Sequence, residues 1–307
     1  MSNQFLNGSS TSLVTGGIPT TSQDVAPSVV YLIAYLGTAA LTFFRLFQYR
    51  DSKTLLLTYL RLALFELTRI ATFIVSLLSA KNFSDATKGN GSFDTNYLIA
   101  EQILVGVGFV IPATTAVRLA ELHTSRQDES GQKKTIFRIM EIALLIAVAL
   151  GIVAGTEYNK ALTDSGTRSQ LKTFRIVSSI LSLGVLAILV AYCFTMLSRR
   201  DLPRATTVWL MATAALLVHP PHSYCTPSLM PPSIQIIVPI YRLENILNPP
   251  SDGQSDAAKI VFYVVQLAPE WLVGLSLTAV NAQIWCGVLP KSTYQDSEEA
   301  YGLYSRQ

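Results

Sequence analysis

The chain has 307 residues, of which 50% are hydrophobic and 14% are charged. A soluble domain carries about 25% charged residues, so this composition argues against an ordinary soluble protein and indicates a membrane protein. The formal net charge of +3 is too small and too dispersed to indicate a nucleic-acid partner. The three cysteines are too few and too widely spaced for a disulfide framework.

The two ends of the chain differ from its middle. Residues 1–26 are polar and lack the basic region and the apolar core of a signal peptide, so we predict a flexible N-terminal tail. Residues 287–307 are also polar and are predicted to form a cytoplasmic tail. The region between them, 27–286, is predicted to be the membrane domain.

Seven apolar segments follow one another in this region. The stretch from Ile176 to Ser198 has no charged residue, and about 20 apolar residues are enough for a helix to cross a bilayer. The segments lack the period-two alternation of a membrane β-barrel, and helices satisfy their own backbone hydrogen bonds in lipid. We therefore predict an all-α membrane protein, a seven-transmembrane-helix bundle, with spans at 27–48, 54–80, 96–121, 135–156, 173–198, 205–247 and 257–286.

The sixth predicted span is interrupted. Its first part, 205–218, is too short to cross comfortably, and the block 219–238 contains five prolines, which break helices. This Pro-rich block is either an outer loop or re-entrant element between two half-helices, or a foreign insertion. We favour the insertion, because joining Val218 to Pro239 produces one span of ordinary length.

Basic residues predict the orientation of the bundle. With the N-terminus outside, twelve basic residues fall in the cytoplasmic segments and six in the outer ones, as the positive-inside rule requires. The cytoplasmic set is Arg45, Arg50, Lys53, Arg118, Arg126, Lys133, Lys134, Arg199, Arg200, Arg204, Lys291 and Arg306, and the outer set is Lys81, Lys88, Lys160, Arg168, Lys172 and Lys259. The N-x-S glycosylation patterns at Asn7, Asn82 and Asn90 also lie on the outer side. We predict an N-terminus outside and a cytoplasmic C-terminus.

Three ionisable residues lie deep within the predicted spans. Glu66 is about 18 Å along the second helix, and Glu270 is about 20 Å along the seventh, at 1.5 Å per residue. Helices 2 and 7 of a seven-helix ring are commonly neighbours, so we predict that Glu66, Arg69 and Glu270 form one intramembrane polar cluster. The cluster is either a site for a proton, an ion or a lipid headgroup, or a structural ion pair that fixes helix register.

Other ionisable residues lie near the ends of helices. Arg118 with Glu121, and Arg138 with Glu141, have the spacing of pairs on one helix face at the cytoplasmic boundary. Glu101 and Gln102 lie nearer the outer mouth of helix 3. They either line an entrance or face the lipid headgroups.

The sequence contains no catalytic or metal-binding signature. His219 and His222 have no paired acidic or cysteine ligands, so we predict no metal site. The middle of helix 7 has no lysine that could hold retinal, and no nucleophile elbow or phosphate-binding loop is present. We therefore predict neither catalytic residues nor a cofactor.

Four short patches resemble a family of uncharacterised fungal seven-helix integral membrane proteins, a domain of unknown function. The family is more distantly similar to the RTA-type lipid-translocating and stress-resistance proteins. The patches are LRLALFELTRIATF (60–73), ILVGVGFVIPATTAVRLAELH (103–123), IYRLENIL (240–247) and QLAPEWLVGL (266–275). The resemblance implies a fungal source and a membrane fold, and it carries no established activity.

These observations lead to an expectation of function. We expect a non-enzymatic protein of the plasma membrane or an endomembrane that is transporter-like or accessory to a biosynthetic or stress-resistance pathway. Its partners would be the bilayer and a lipid or small apolar metabolite, and no protein partner is indicated. The alternatives are a seven-helix receptor-like protein, or a terpene-cyclase-like enzyme that uses a buried glutamate as acid.

Overall fold

A computed structural model describes residues 17–125, 131–198, 203–216, 238–248 and 255–286. These residues are helical throughout, apart from short connections, and include no strand. Six helical stretches among them are long and apolar enough to cross a membrane. The chain is therefore an all-helical protein with the helices expected of a multi-pass membrane protein.

The helices are numbered here in chain order. They are α1 (Val25–Gln48), α2 (Lys53–Thr87), α3 (Thr95–Gly108), α4 (Val110–Thr124), α5 (Gly131–Thr156), α6 (Tyr158–Thr163), α7 (Ser165–Leu197), α8 (Arg204–Leu216), α9 (Val238–Leu247), α10 (Asp256–Val261), α11 (Ala268–Ala279) and α12 (Ala282–Trp285). A π-helical turn, Phe262–Leu267, joins α10 to α11 and makes them one continuous stretch.

Six predicted spans correspond to the six long stretches, and the helices extend past several predicted ends. The sixth predicted span, 205–247, is present only as two short helices, α8 and α9. Neither is long enough to be counted as a span by itself. Apart from Val238, the Pro-rich block 219–238 lies outside the described residues, so the insertion hypothesis stays a prediction.

The third span lies at the centre of the bundle. Its halves α3 and α4 meet at Phe109, whose backbone angles are helical, so that Thr95–Thr124 is one continuous stretch. Together the two halves contact α2, α5, α7, α8 and α11. Around them, α1 packs on α2, α5 on α7, α7 on α8 and α9, and α11 on α1. As predicted for helices 2 and 7, α2 and α11 are in contact.

The surface of the bundle is apolar, which is the reverse of a soluble protein. Large apolar side chains point outward along α1 and α5, including Ile33 at 65% exposure, Phe47 at 77% and Leu145 at 62%. The interior holds charged residues that are entirely buried, including Arg69 and Glu270. Lipid is as apolar as leucine, so this distribution suits a bundle that faces lipid and packs through its polar and small residues.

Polar side chains cap the helices at the ends of the bundle. The Asp164 carboxylate accepts hydrogen bonds from the backbone N–H groups of Gly166 and Thr167 at the start of α7. The Thr167 hydroxyl and these N–H groups hold the pKa of Asp164 below its ordinary value. Each bond satisfies a donor that the first turn of a helix leaves without a partner.

The final helical stretch ends before the predicted end of the seventh span. α11 stops at Ala279, and its last carbonyls are bound by side chains from the first two spans. The Arg45 guanidinium donates to the Thr278 and Ala279 carbonyls at 3.1 and 2.9 Å. The Tyr59 hydroxyl donates to Leu277 at 3.0 Å. These contacts replace the helical hydrogen bonds lost at the break.

The described part of the predicted N-terminal tail is folded, contrary to our expectation of a flexible segment up to residue 26. Ile18 and Asp24 are buried, and α1 begins at Val25. The Lys259 ammonium donates to the Asp24 carboxylate at 2.6 Å and to the Ile18 carbonyl at 2.7 Å. This buried ion pair binds the segment to α10. The prediction of a tail rested on composition alone, and composition does not report such a contact. Residues 1–16, with Asn7, lie outside the described residues.

Candidate functional site: a charged cluster inside the bundle

The core of the site is an ion pair between α2 and α11. Arg69 Nη2 donates to Glu270 Oε2, and both side chains are completely buried. Hydropathy placed each residue deep in its span, and the contact between α2 and α11 brings them together. Taking two charges out of water costs several kcal/mol per ion, so each charge needs the other to be tolerated here.

Glu66 lies one helical turn before Arg69 and is also fully buried. Its Oε2 atom accepts a hydrogen bond of 2.8 Å from the hydroxyl of Thr38 on α1. Its Oε1 atom has no hydrogen-bond partner in the described part of the chain. Gly274 of α11 faces this oxygen, since a Cβ atom added there would lie 3.1 Å from Oε1. Glu66 therefore belongs to the same cluster but is held by a neutral group.

A fourth charged residue, Arg242 on α9, was absent from the predicted site. Its Nη2 atom lies 3.7 Å from Glu270 Oε1, on the side of the carboxylate opposite to the Arg69 bond. It also donates to the carbonyls of Val105 and Gly106 at 2.5 and 3.1 Å. Its guanidinium lies 4.1 Å from the centre of the Phe109 ring, at cation–π distance. The sequence does show an arginine within an apolar segment. Because the sixth predicted span is interrupted, however, the position of Arg242 along a helix could not be counted.

Arg242 binds where the third span is irregular. Pro112 has no N–H, so the Gly108 carbonyl lacks its regular helical partner, and α3 ends at Gly108. Carbonyl groups at the end of a helix lack intrahelical partners, and none may stay unpaired within a membrane. Arg242 satisfies Val105 and Gly106 at this end. The carbonyl groups at the end of α3 and the Arg242 guanidinium therefore stabilise each other.

Gly108 provides the space for the Arg69 guanidinium. A Cβ atom at this position would lie 2.5 Å from Arg69 Cζ and 2.7 Å from its Nη2. Real Cβ atoms do not approach another atom this closely, so any larger residue at position 108 would displace the arginine. Gly108 thus allows α3 to approach α2 closely. Gly106 has no such role, because a Cβ atom there would meet nothing within 4 Å.

The helix that carries Glu270 is irregular just before it. Residues Phe262–Leu267 form a π turn, in which the N–H of Ala268 bonds to the carbonyl of Tyr263, and Pro269 follows. The Tyr31 hydroxyl donates to the same carbonyl at 2.9 Å. Such π turns insert one extra residue into a helix and are frequent at functional sites. Here the turn sets the direction in which Glu270 points.

Several polar atoms of the cluster have no hydrogen-bond partner in the described part of the chain. They are Tyr35 Oη, Glu66 Oε1, Arg69 Nε and Nη1, Arg242 Nε and Glu270 Oε1. A buried polar atom without a partner costs about 1–3 kcal/mol, and more when it is charged. Two arginines and two glutamates make the cluster neutral when all are ionised. It therefore retains both donors and acceptors that can meet water, a proton or the polar group of a ligand.

A second buried cluster lies where α10 meets the start of α1, around the Lys259–Asp24 pair. The Tyr263 hydroxyl is 3.2 Å from Asp24 Oδ1 and 3.1 Å from Ser28 Oγ. Glu101 and Gln102, predicted to line an entrance or face headgroups, are buried at 3% and 4% exposure. In this structure they therefore face neither lipid headgroups nor an open mouth.

The remaining predicted residues have separate surroundings. Arg118 and Glu121, placed on one helix face by their spacing, form an ion pair. Glu141, which has the same spacing from Arg138, accepts instead from Arg61 of α2 at 2.6 Å. No group of three potential metal ligands occurs among the described residues. His219 and His222 lie outside them.

Comparisons with protein families, with curated proteins and with solved structures found no match to this chain. The fold and the cluster themselves define its class. It is an all-helical protein with the long apolar helices of a multi-pass membrane protein, built around a buried group of two arginines and two glutamates.

Proposed function

We propose that this is a non-enzymatic, transporter-like membrane protein whose central cluster binds the polar group of a lipid or small apolar metabolite. The observation that carries the proposal is the enclosed set of charges, Glu66, Arg69, Arg242 and Glu270, beside an irregular point in the third span. Ionisable residues inside membranes are costly and usually mark pathways for substrates or ions. The π turn just before Glu270 supports the proposal as well, since such turns are frequent at functional sites.

The surroundings of Glu270 argue against this glutamate as the acid of a cyclase-like enzyme. A catalytic acid must reach the olefin or epoxide that it protonates. Glu270 instead faces Arg69 on one oxygen and Arg242 on the other. Two guanidinium groups therefore balance its charge, although of the two only Arg69 is hydrogen-bonded to it.

We further propose the finer topology. α8 and α9 both pack on α7, which supports their forming a sixth crossing and hence a bundle of seven helices. The distribution of basic residues supports an N-terminus outside and a cytoplasmic C-terminus. The protein would reside in the plasma membrane or an endomembrane, and the resemblance noted above supports a fungal source.

Glycosylation tests this topology. Asn90 is exposed, whereas the Asn82 side chain lies within α2, accepts from the Asp94 N–H at 2.8 Å and donates to the Ser92 carbonyl. In an Asn7→Gln background expressed in eukaryotic cells, we expect a glycosidase-sensitive gel shift that Asn90→Gln removes and Asn82→Gln largely retains. A C-terminal reporter should be cytosolic, and a reporter on the cell exterior would contradict the seven-helix orientation.

Lipid translocation by purified protein tests the proposed function. We expect vesicles containing the protein to move fluorescent phosphatidylcholine, phosphatidylethanolamine or phosphatidylserine between leaflets, so that a membrane-impermeant quencher reaches the inner-leaflet label. Glu270→Gln should abolish this movement, because the amide cannot balance two guanidinium groups.

The matched control is Glu141→Gln, which changes a carboxylate paired with Arg61 outside the cluster. It should translocate like the unmodified protein. Both variants are compared at equal amounts in the membrane, so a loss of accumulation in Glu270→Gln would indicate a purely structural pair. Absence of translocation for every labelled lipid would count against a lipid-moving role.

A further inference from the structure

We infer that the central cluster accepts a singly charged anionic group and binds it together with a proton on Glu66. The inference rests on the proposed transporter function and names the chemistry of its ligand. The two glutamates of the cluster are held differently, and this difference is the starting point.

Glu270 is the glutamate that cannot lose its charge without leaving two arginines unbalanced. Its oxygens face Arg69 and Arg242, both buried. Glu66 instead receives a hydroxyl hydrogen bond from Thr38, and its second oxygen has no hydrogen-bond partner among the described residues. A carboxyl group held in this way can carry a proton on the unpartnered oxygen while keeping its bond to Thr38.

The groups of the cluster that contains Glu66 come from four helices. Arg69 lies on the same helix, α2, and Glu270 is contributed by α11 and Arg242 by α9. α1 contributes the hydroxyls of Thr38 and Tyr35, and the latter has no hydrogen-bond partner in the described part of the chain. Both arginines are therefore bound primarily to groups other than Glu66.

The charge of the cluster then depends on one proton. With Glu66 ionised, two arginines and two glutamates sum to zero. With Glu66 protonated, the sum is +1 among side chains that are buried. A net charge of this kind is costly inside a membrane and is removed when one anion enters.

Donors for such an anion are already in place. Arg69 Nε and Nη1 and Arg242 Nε are buried and have no hydrogen-bond partner in the described ranges. Guanidinium groups bind carboxylates and phosphate esters through charge-assisted hydrogen bonds. The cluster thus combines a removable negative charge with unused cationic donors, which is the chemistry of an anion site linked to a proton.

Binding to an anion that does not itself titrate near neutral pH tests the inference. The full chain is placed in phosphatidylcholine nanodiscs, and its unfolding temperature is followed by tryptophan fluorescence. One arm adds dimethyl phosphate to the solution, and the other replaces part of the lipid by phosphatidylglycerol, which carries a phosphodiester on lipid chains. The two arms separate a soluble anion from a lipid headgroup. Ligand that binds only the folded state raises the unfolding temperature.

We expect an anion to bind more tightly as the pH falls, with the apparent affinity decreasing about tenfold per pH unit above the titration of Glu66. Glu66→Gln keeps an acceptor for Thr38 and imitates the protonated carboxyl. It should bind at all pH values with the affinity that the unmodified protein has at acid pH. Glu141→Gln should retain the pH dependence of the unmodified protein.

Two results would overturn the inference: neither phosphodiester binds at any pH, or Glu66→Gln keeps the original pH dependence. The same experiments distinguish failure of the anion-site inference from failure of the proposed transporter function. Translocation of zwitterionic lipid without anion binding would leave the transporter proposal intact and refute the anion site. Proton-linked binding without translocation of any lipid would support the anion site and count against lipid transport.

Discussion

Arg69→Leu is expected to destabilise the protein by about 3–5 kcal/mol, the range found when one partner of a buried ion pair is removed. The substitution leaves the Glu270 carboxylate buried, with Arg242 at 3.7 Å as its remaining cation. Glu270→Leu should be similarly damaging, because it leaves two guanidinium groups against Glu66 alone. The measurement is the unfolding temperature in detergent, together with the yield of monodisperse protein.

The double variant Arg69→Leu/Glu270→Leu should recover part of the loss, since it removes both charges and leaves Glu66 and Arg242 in balance. The comparison pair is Arg61 with Glu141, whose side chains are 38% and 21% exposed. Removing either of those should cost far less, because partly exposed charges keep some hydration. If the double variant is no more stable than either single one, the energetic coupling between Arg69 and Glu270 is absent.

Most of the long helices and the buried charges could be predicted from the sequence. Apolar runs predicted the positions of six long helices, and a fixed rise per residue predicted Glu66 and Glu270 to lie far from the ends of theirs. The adjacency of the second and seventh spans in a ring then placed these residues together. Each step uses only the order of apolar and charged residues along the chain, which can be read directly from the sequence.

Arg242 and the Lys259–Asp24 pair could not be predicted in the same way. Arg242 follows the Pro-rich block, so its depth could not be counted from either end of a regular helix. The Lys259–Asp24 pair joins a segment of tail-like composition to a lysine at the edge of a span. Both features are tertiary contacts between elements distant in the chain, and no local pattern encodes them.

The irregularity at Phe109 shows a third limit. Pro112 signals it, because its missing N–H leaves the Gly108 carbonyl without a helical partner, but the signal does not say which side chain binds nearby. In the structure Arg242 binds the carbonyls of Val105 and Gly106 in the preceding turn and in addition faces Glu270. The backbone irregularity and the charged cluster are therefore one feature, and a change to the backbone at this point should disturb the charges.

Gly108→Ala tests that connection, and we expect it to destabilise the protein by about 1–3 kcal/mol, as overpacking of a tight core does. The added methyl would meet the Arg69 guanidinium at 2.5 Å and push it from Glu270. The substitution should also abolish any activity that depends on the cluster, although it alters no charged residue. Unfolding temperature and lipid translocation are the two measurements.

Gly106→Ala is the matched control, two residues earlier on the same helix. A Cβ there meets nothing within 4 Å, and the carbonyl that receives Arg242 is unchanged. Because alanine is a better helix former than glycine by about 1 kcal/mol, Gly106→Ala should be neutral or stabilising. Equal behaviour of the two variants would mean that the packing of α3 against Arg69 does not hold the cluster together. A stability loss confined to Gly108→Ala would locate the constraint at the single point where the third span contacts the guanidinium.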